Sequence, residues 1–89
     1  MHDFMMIEKT KKPHTFFIGI NWTSFYEKDS RIHSGVGNEM YKKIALEFIE
    51  ENKKLGLNPM LKVRYVNNPT YYITFRSKHD AMAFKLTWT

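Results

Sequence analysis

Histidine, serine and aspartate are the residues here best suited to covalent or metal chemistry, and their spacing supports neither. His2, His14, His33 and His79 are scattered, with no i,i+4 pair and no metal-ligand spacing. Asp29, Ser30 and His33 lie close along the chain, but a catalytic triad is a spatial arrangement, and proximity in sequence does not make one. His33-Ser34-Gly35-Val36-Gly37-Asn38 runs toward a helix start, where backbone amides favour anions. It lacks both the glycine spacing of a dinucleotide fingerprint and the lysine–hydroxyl ending of a phosphate loop, so a loop and cap is the better reading. Cysteine is absent, which removes thiolate metal sites and disulfides and suits a reducing cytoplasm. The chain therefore reads as a non-enzymatic binding module with no cofactor and no metal.

Binding chemistry is better represented. Lysine and arginine number 14 against 9 acidic residues, a net charge of +5 that permits an anionic partner such as nucleic acid. The location of that charge decides more than its total. In the strand-like segments Phe16, Ile18, Ile20, Leu61, Val63, Ile73 and Phe75 alternate toward one face. The opposite face then receives Phe17, Lys62, Arg64, Tyr72, Thr74 and Arg76. Aromatic rings among basic side chains can stack bases and neutralise phosphates. Phe17, Lys62, Arg64, Tyr72 and Arg76 are the candidate residues for single-stranded nucleic acid. The rival expectation is a protein-interaction or homodimeric accessory protein in which a partner covers the same aromatics.

Five or six elements must position these residues. Residues 4–7 make a short apolar run that ends at a turn, Lys9-Thr10-Lys11-Lys12-Pro13. Residues 15–23, aromatic and β-branched, predict a strand with Phe16, Ile18, Ile20 and Trp22 on one face. Residues 38–55 predict an amphipathic helix, with Met40, Tyr41, Ile44, Ala45, Phe48, Ile49 and Leu55 on one half of the wheel. Asn38 is the expected N-cap, and Gly56 followed by Pro59 is the stop signal. Residues 60–66 and 70–76, separated by Asn67-Asn68-Pro69, predict a hairpin. Ser77-Lys78-His79-Asp80 has capping-box spacing and opens a last helix. The alternation from Phe84 to Thr89 also admits a terminal strand; length favours the helix. The connection from 24 to 37 is long for its place and is expected to be the most mobile internal segment.

Taken together, these elements predict a single α+β domain over residues 1–89. A hydrophobic content of 43% is ample for one core. The order of strand, helix, hairpin and helix predicts a ferredoxin-like antiparallel sheet with two helices on one face. The N-terminal segment supplies the fourth strand, a circular permutation of the usual order.

Two resemblances follow from particular residues. Phe16-Phe17-Ile18-Gly19 resembles the first-strand motif of RNA-recognition domains, and Tyr72-Ile73-Thr74-Phe75 with Asp80-Ala81 is similar to the end of their third-strand motif. This resemblance implies stacking positions at Phe17 and Tyr72. The chain departs from that pattern at Thr70, Pro69 and Asn68. Separately, Phe75-Arg76-Ser77 with Asp80-Ala81-Met82-Ala83-Phe84-Lys85-Leu86-Thr87-Trp88 resembles the endings of small uncharacterised tailed-bacteriophage proteins, which implies a bacterial host cytoplasm or virion.

No apolar run approaches the ~20 residues that span a bilayer, so a soluble protein without membrane contact is expected. The last helix carries two apolar stripes, Ala81/Phe84/Trp88 and Met82/Ala83/Leu86, and Leu46 falls on the polar side of the long helix. Both features point to a homodimer.

Overall fold

The computed structural model describes residues 4–24 and 37–88. The stretch holding Asp29, Ser30 and His33, with most of the long connection, lies outside the described residues, as does His2. The described elements are β1 (Met5–Lys9), β2 (Thr15–Ile20), α1 (Gly37–Lys54), β3 (Pro59–Val66), β4 (Asn68–Phe75) and α2 (Lys78–Trp88). The strands form one antiparallel sheet in the order β1-β2-β4-β3, so β4 lies between the two strands joined through α1. The fold is α+β, as its sequence pattern predicts.

β2 is shorter than its β-branched and aromatic run suggests. Asn21 stops it: the side chain accepts the Ser24 N–H at 3.2 Å, and residues 22–24 turn helical. Trp22 therefore leaves the strand and packs, half-buried, beside Ile20 and Ile44.

α1 follows its apolar periodicity and buries Ile44, Ala45, Phe48 and Ile49. It begins at Gly37, so Asn38 sits inside the first turn rather than at the cap. At its other end the Gly56 N–H donates to the Lys53 carbonyl at 3.0 Å and the Leu57 N–H to that of Asn52 at 3.2 Å. This paired closure needs a left-handed residue, and Gly56 supplies it at φ 88°. Leu57 then folds back onto the core.

The β3–β4 reversal is tighter than expected. Val66 pairs with Asn68, leaving Asn67 alone at φ 68° to make the turn, and Asn68 and Pro69 join the strand. α2 is a helix throughout its length, capped by Ser77, whose hydroxyl accepts the Asp80 N–H at 3.3 Å. Asp80 does not return the bond to Ser77. Its carboxylate accepts the Asn58 N–H at 3.2 Å and ties the helix to the entry of β3.

Both helices pack on the face that carries Phe16, Ile18, Tyr71, Ile73 and Phe75. Phe84 is the hub, its ring 4.8 Å from Phe16, 5.2 Å from Phe75 and 5.7 Å from Phe48. The stripe Ala81/Phe84/Trp88 is thus spent on this chain's own core. Asn52, fully buried, is a polar residue within this apolar layer. Its amide donates to the Phe48 carbonyl at 2.9 Å and its Oδ1 accepts the Trp88 indole N–H at 3.0 Å. A buried amide is tolerated because both ends are bonded.

Val63, expected in the core, is 41% exposed, and Tyr65 is 75% exposed. β3 is an edge strand, and its second half is exposed from Lys62 to Val66. Alternation sets the face a side chain occupies; it does not supply anything to cover that face.

Candidate nucleic-acid interface

The face opposite the helices is built in cross-strand rows. One row runs Glu8, Phe17, Tyr72, Lys62 across β1, β2, β4 and β3, and a neighbouring one places Thr15, Thr74 and Met60 together. Directly opposed residues share a face, so register alone brings Phe17, Tyr72 and Lys62 into line. Arg64, two residues on from Lys62, joins that face opposite Thr70. The sheet thus gathers residues that are far apart in sequence.

Phe17 and Tyr72 meet edge to face, with centroids 5.9 Å apart and rings inclined at 61°. Both are half-buried. Phe17 lies along its own strand over Gly19: a Cβ at residue 19 would stand 2.7 Å from its ring and 3.2 Å from the Met6 methyl. Glycine leaves room here for the ring, which any side chain at residue 19 would have to displace. The outer edge of Phe17 is flanked through the register by Glu8.

Beside Tyr72 the face sinks into a cleft of about 560 Å³. Its cationic lining is Lys11, Lys12, Lys62 and Arg64, around Tyr72, Thr15 and Thr74, with no acidic residue. Of the five residues that the alternation nominates, the cleft holds Lys62, Arg64 and Tyr72. Phe17 borders it through the Tyr72 contact. Arg76 follows the end of β4, exposed and outside the lining.

Sequence reasoning misses the contribution of the β1–β2 turn. Lys11 and Lys12 read there as turn composition, and nothing in their spacing links them to residues 62–64. The turn is tightly tied. The Thr10 hydroxyl donates to the Thr15 carbonyl at 2.9 Å and accepts the Lys12 N–H at 3.2 Å, while His14, at φ 57°, accepts the Phe75 N–H at 3.0 Å. The Thr15 hydroxyl donates to the Pro13 carbonyl at 3.1 Å and lies 2.9 Å from the Thr74 hydroxyl.

A second unforeseen residue acts from behind the sheet. Tyr41 of α1 puts its hydroxyl between β2 and β4, donating to the Ile18 carbonyl and accepting the Tyr71 N–H at 3.2 Å. Ile18 opposite Tyr71 is the last pair of that ladder. The phenol satisfies both strands where they part, one residue from Phe17 and Tyr72. Burial raises the Tyr41 pKa, with the Tyr71 N–H bond offsetting part of the rise.

Among the described residues there is no group of three or more metal-ligating side chains that could hold an ion, and no helix is long and apolar enough to cross a membrane. Compared with known proteins, the chain matches no family model, no curated protein and no solved structure.

Proposed function

We propose that the protein is a non-enzymatic binding module that holds single-stranded nucleic acid against the open face of its sheet. The cleft carries this reading. It sets Lys11, Lys12, Lys62 and Arg64 around an aromatic ring and admits no acid to its lining. Unspecific strand binding uses that combination: cations for the backbone and a π-face for any base. The domain itself we read as ferredoxin-like and circularly permuted. Two observations support that reading: β4 splits the β2–α1–β3 crossover, and β1 occupies the edge beside β2. The setting we infer is cytoplasmic, in a phage-infected bacterium, as the C-terminal resemblance implies.

Fluorescence titration with labelled oligonucleotides across a salt series tests the proposal. Tyr72→Ala removes the stacking ring and should weaken binding by about 1–3 kcal/mol with little change in salt dependence. Lys62→Ala and Arg64→Ala should each flatten the salt slope by roughly 0.7. Phe17→Ala acts at the border and should cost less than Tyr72→Ala. Wild-type binding confined to low salt, with Tyr72→Ala and Phe17→Ala unchanged from it, would reduce the proposal to generic attraction.

A homodimeric protein-interaction accessory protein, with a partner covering Phe17 and Tyr72, is the second reading. It is favoured by the outer stripe of α2, where Leu86 is 85% and Met82 55% exposed, and by Leu46 at 46%. Light scattering at micromolar concentration, with and without oligonucleotide, separates the two: a dimer that excludes the oligonucleotide supports the second reading, and a monomer removes it.

A further inference from the structure

We infer that the β1–β2 turn is one bank of a two-sided phosphate clamp, so that the cleft takes a strand and not a free nucleotide. The inference rests on the nucleic-acid reading and adds to it how the backbone is held. Lys11 and Lys12 enter the cleft from the turn, Lys62 and Arg64 from β3. The turn opens directly into β2, and β4 separates β2 from β3. The backbones that carry the two banks therefore stand on the order of 10 Å apart, two interstrand spacings. A chain with a phosphate on either side of a base puts one phosphate on each bank at that spacing. A single phosphate engages both only if the like-charged side chains crowd together upon it.

The hydroxyls between the banks assign their contents by proton count. Thr10 and Thr15 each have one hydroxyl proton, and these go to the carbonyls of Thr15 and Pro13. Either hydroxyl could donate across the 2.9 Å contact between Thr15 and Thr74, but the Pro13 bond and this one are made together only when Thr15 accepts and the Thr74 proton is taken too. The threonine floor offers a phosphate lone pairs and no donor. Phosphates are sent to the cationic banks, and the base or sugar lies over the floor beside Tyr72. The hydrogen bonds within the turn and from Phe75 to His14 fix the lysine-bearing backbone before any ligand arrives. Glu8, on the same face, is outside the lining and lies beyond both β2 and β4 from Lys62.

The test compares Lys11→Ala/Lys12→Ala with Lys42→Ala/Lys43→Ala, which removes the same charge from the exposed side of α1. Each is titrated with a labelled mononucleotide and with oligonucleotides of increasing length, from about 50 to about 200 mM salt. The turn variant should lose roughly 20-fold in oligonucleotide affinity near 0.1 M salt, with a salt slope flatter by about 1.4, the share of two phosphate contacts on a single strand. The α1 variant should change far less. The mononucleotide should bind wild type much more weakly than the oligonucleotides and respond little to the turn variant. If wild type binds oligonucleotides through Tyr72 but the turn variant matches it in affinity and slope, the clamp is wrong and the binding reading stands. The clamp is equally wrong if both lysine pairs count the same or if the mononucleotide binds as tightly as a strand. Absence of any oligonucleotide binding by wild type at the lowest salt, about 50 mM, overturns both.

Discussion

Replacing Tyr41 by phenylalanine removes one oxygen and keeps the ring, which packs edge to face on Tyr71 at 4.7 Å and 84°. The burial of the ring is preserved, so the change isolates the hydroxyl. That hydroxyl joins the Ile18 carbonyl to the Tyr71 N–H, on two residues that are 0% and 4% exposed. Without it, a buried donor and a buried acceptor lose their partner together. Each such loss costs about 1–3 kcal/mol, so the variant should be less stable by about 2–4 kcal/mol after partial closure of the ladder. Against the roughly 5–15 kcal/mol typical of a whole domain, that loss is large. Urea denaturation measures it, and amide exchange at Tyr71 shows whether its N–H has been released. Tyr65→Phe makes the same chemical change at 75% exposure and should stay within about 0.5 kcal/mol of wild type. The pH dependence adds a second test. Burial raises the Tyr41 pKa in the fold, so the native state keeps a proton that the unfolded chain releases. The stabilisation from the hydroxyl is complete below the ordinary tyrosine pKa, about 10, and is lost as pH climbs above it. The gap between wild type and Tyr41→Phe should narrow there. A variant within about 0.5 kcal/mol of wild type, with Tyr71 still protected, would refute the bridging role.

Asn52→Ala strands the Trp88 indole N–H inside the helix layer and should cost about 1–3 kcal/mol by urea titration, with a red shift of tryptophan emission as the end of α2 loosens. Unchanged emission and stability would mean that the contact is incidental. Gly19→Ala places a methyl 2.7 Å from the Phe17 ring, which must swing off the sheet; destabilisation of about 1–3 kcal/mol is expected, without loss of the α-helical circular dichroism signal. A variant as stable as wild type would show that Phe17 does not depend on the groove at Gly19.

Local pattern was enough for much of this protein. The 3.6-residue period of Ile44, Ala45, Phe48 and Ile49, closed by Gly56, determined α1 because a helix end requires left-handed backbone that glycine adopts readily. Alternation in 71–75 determined which side chains of β4 face the helices, since the strand period is two. It also placed Lys62 and Tyr72 on one face before any register was known. Only the tertiary structure decided what those faces meet. Val63 shares its alternation with Leu61, yet it is exposed because β3 is an edge strand, and strand order is not encoded in a strand's own residues. Asn52 sits at a core position of α1, where its polarity misleads until Trp88, 36 residues later, supplies the partner. The hydroxyl of Tyr41 finds its role through a contact with Tyr71, 30 residues away. Lys11 and Lys12 look like turn residues because their neighbours across the cleft, Lys62 and Arg64, lie far along the chain. Backbone propensity and side-chain period act within a few residues and can be read directly. Charge convergence, burial and hydrogen-bond partnership depend on distance in space, which the chain acquires only when the strands take their order.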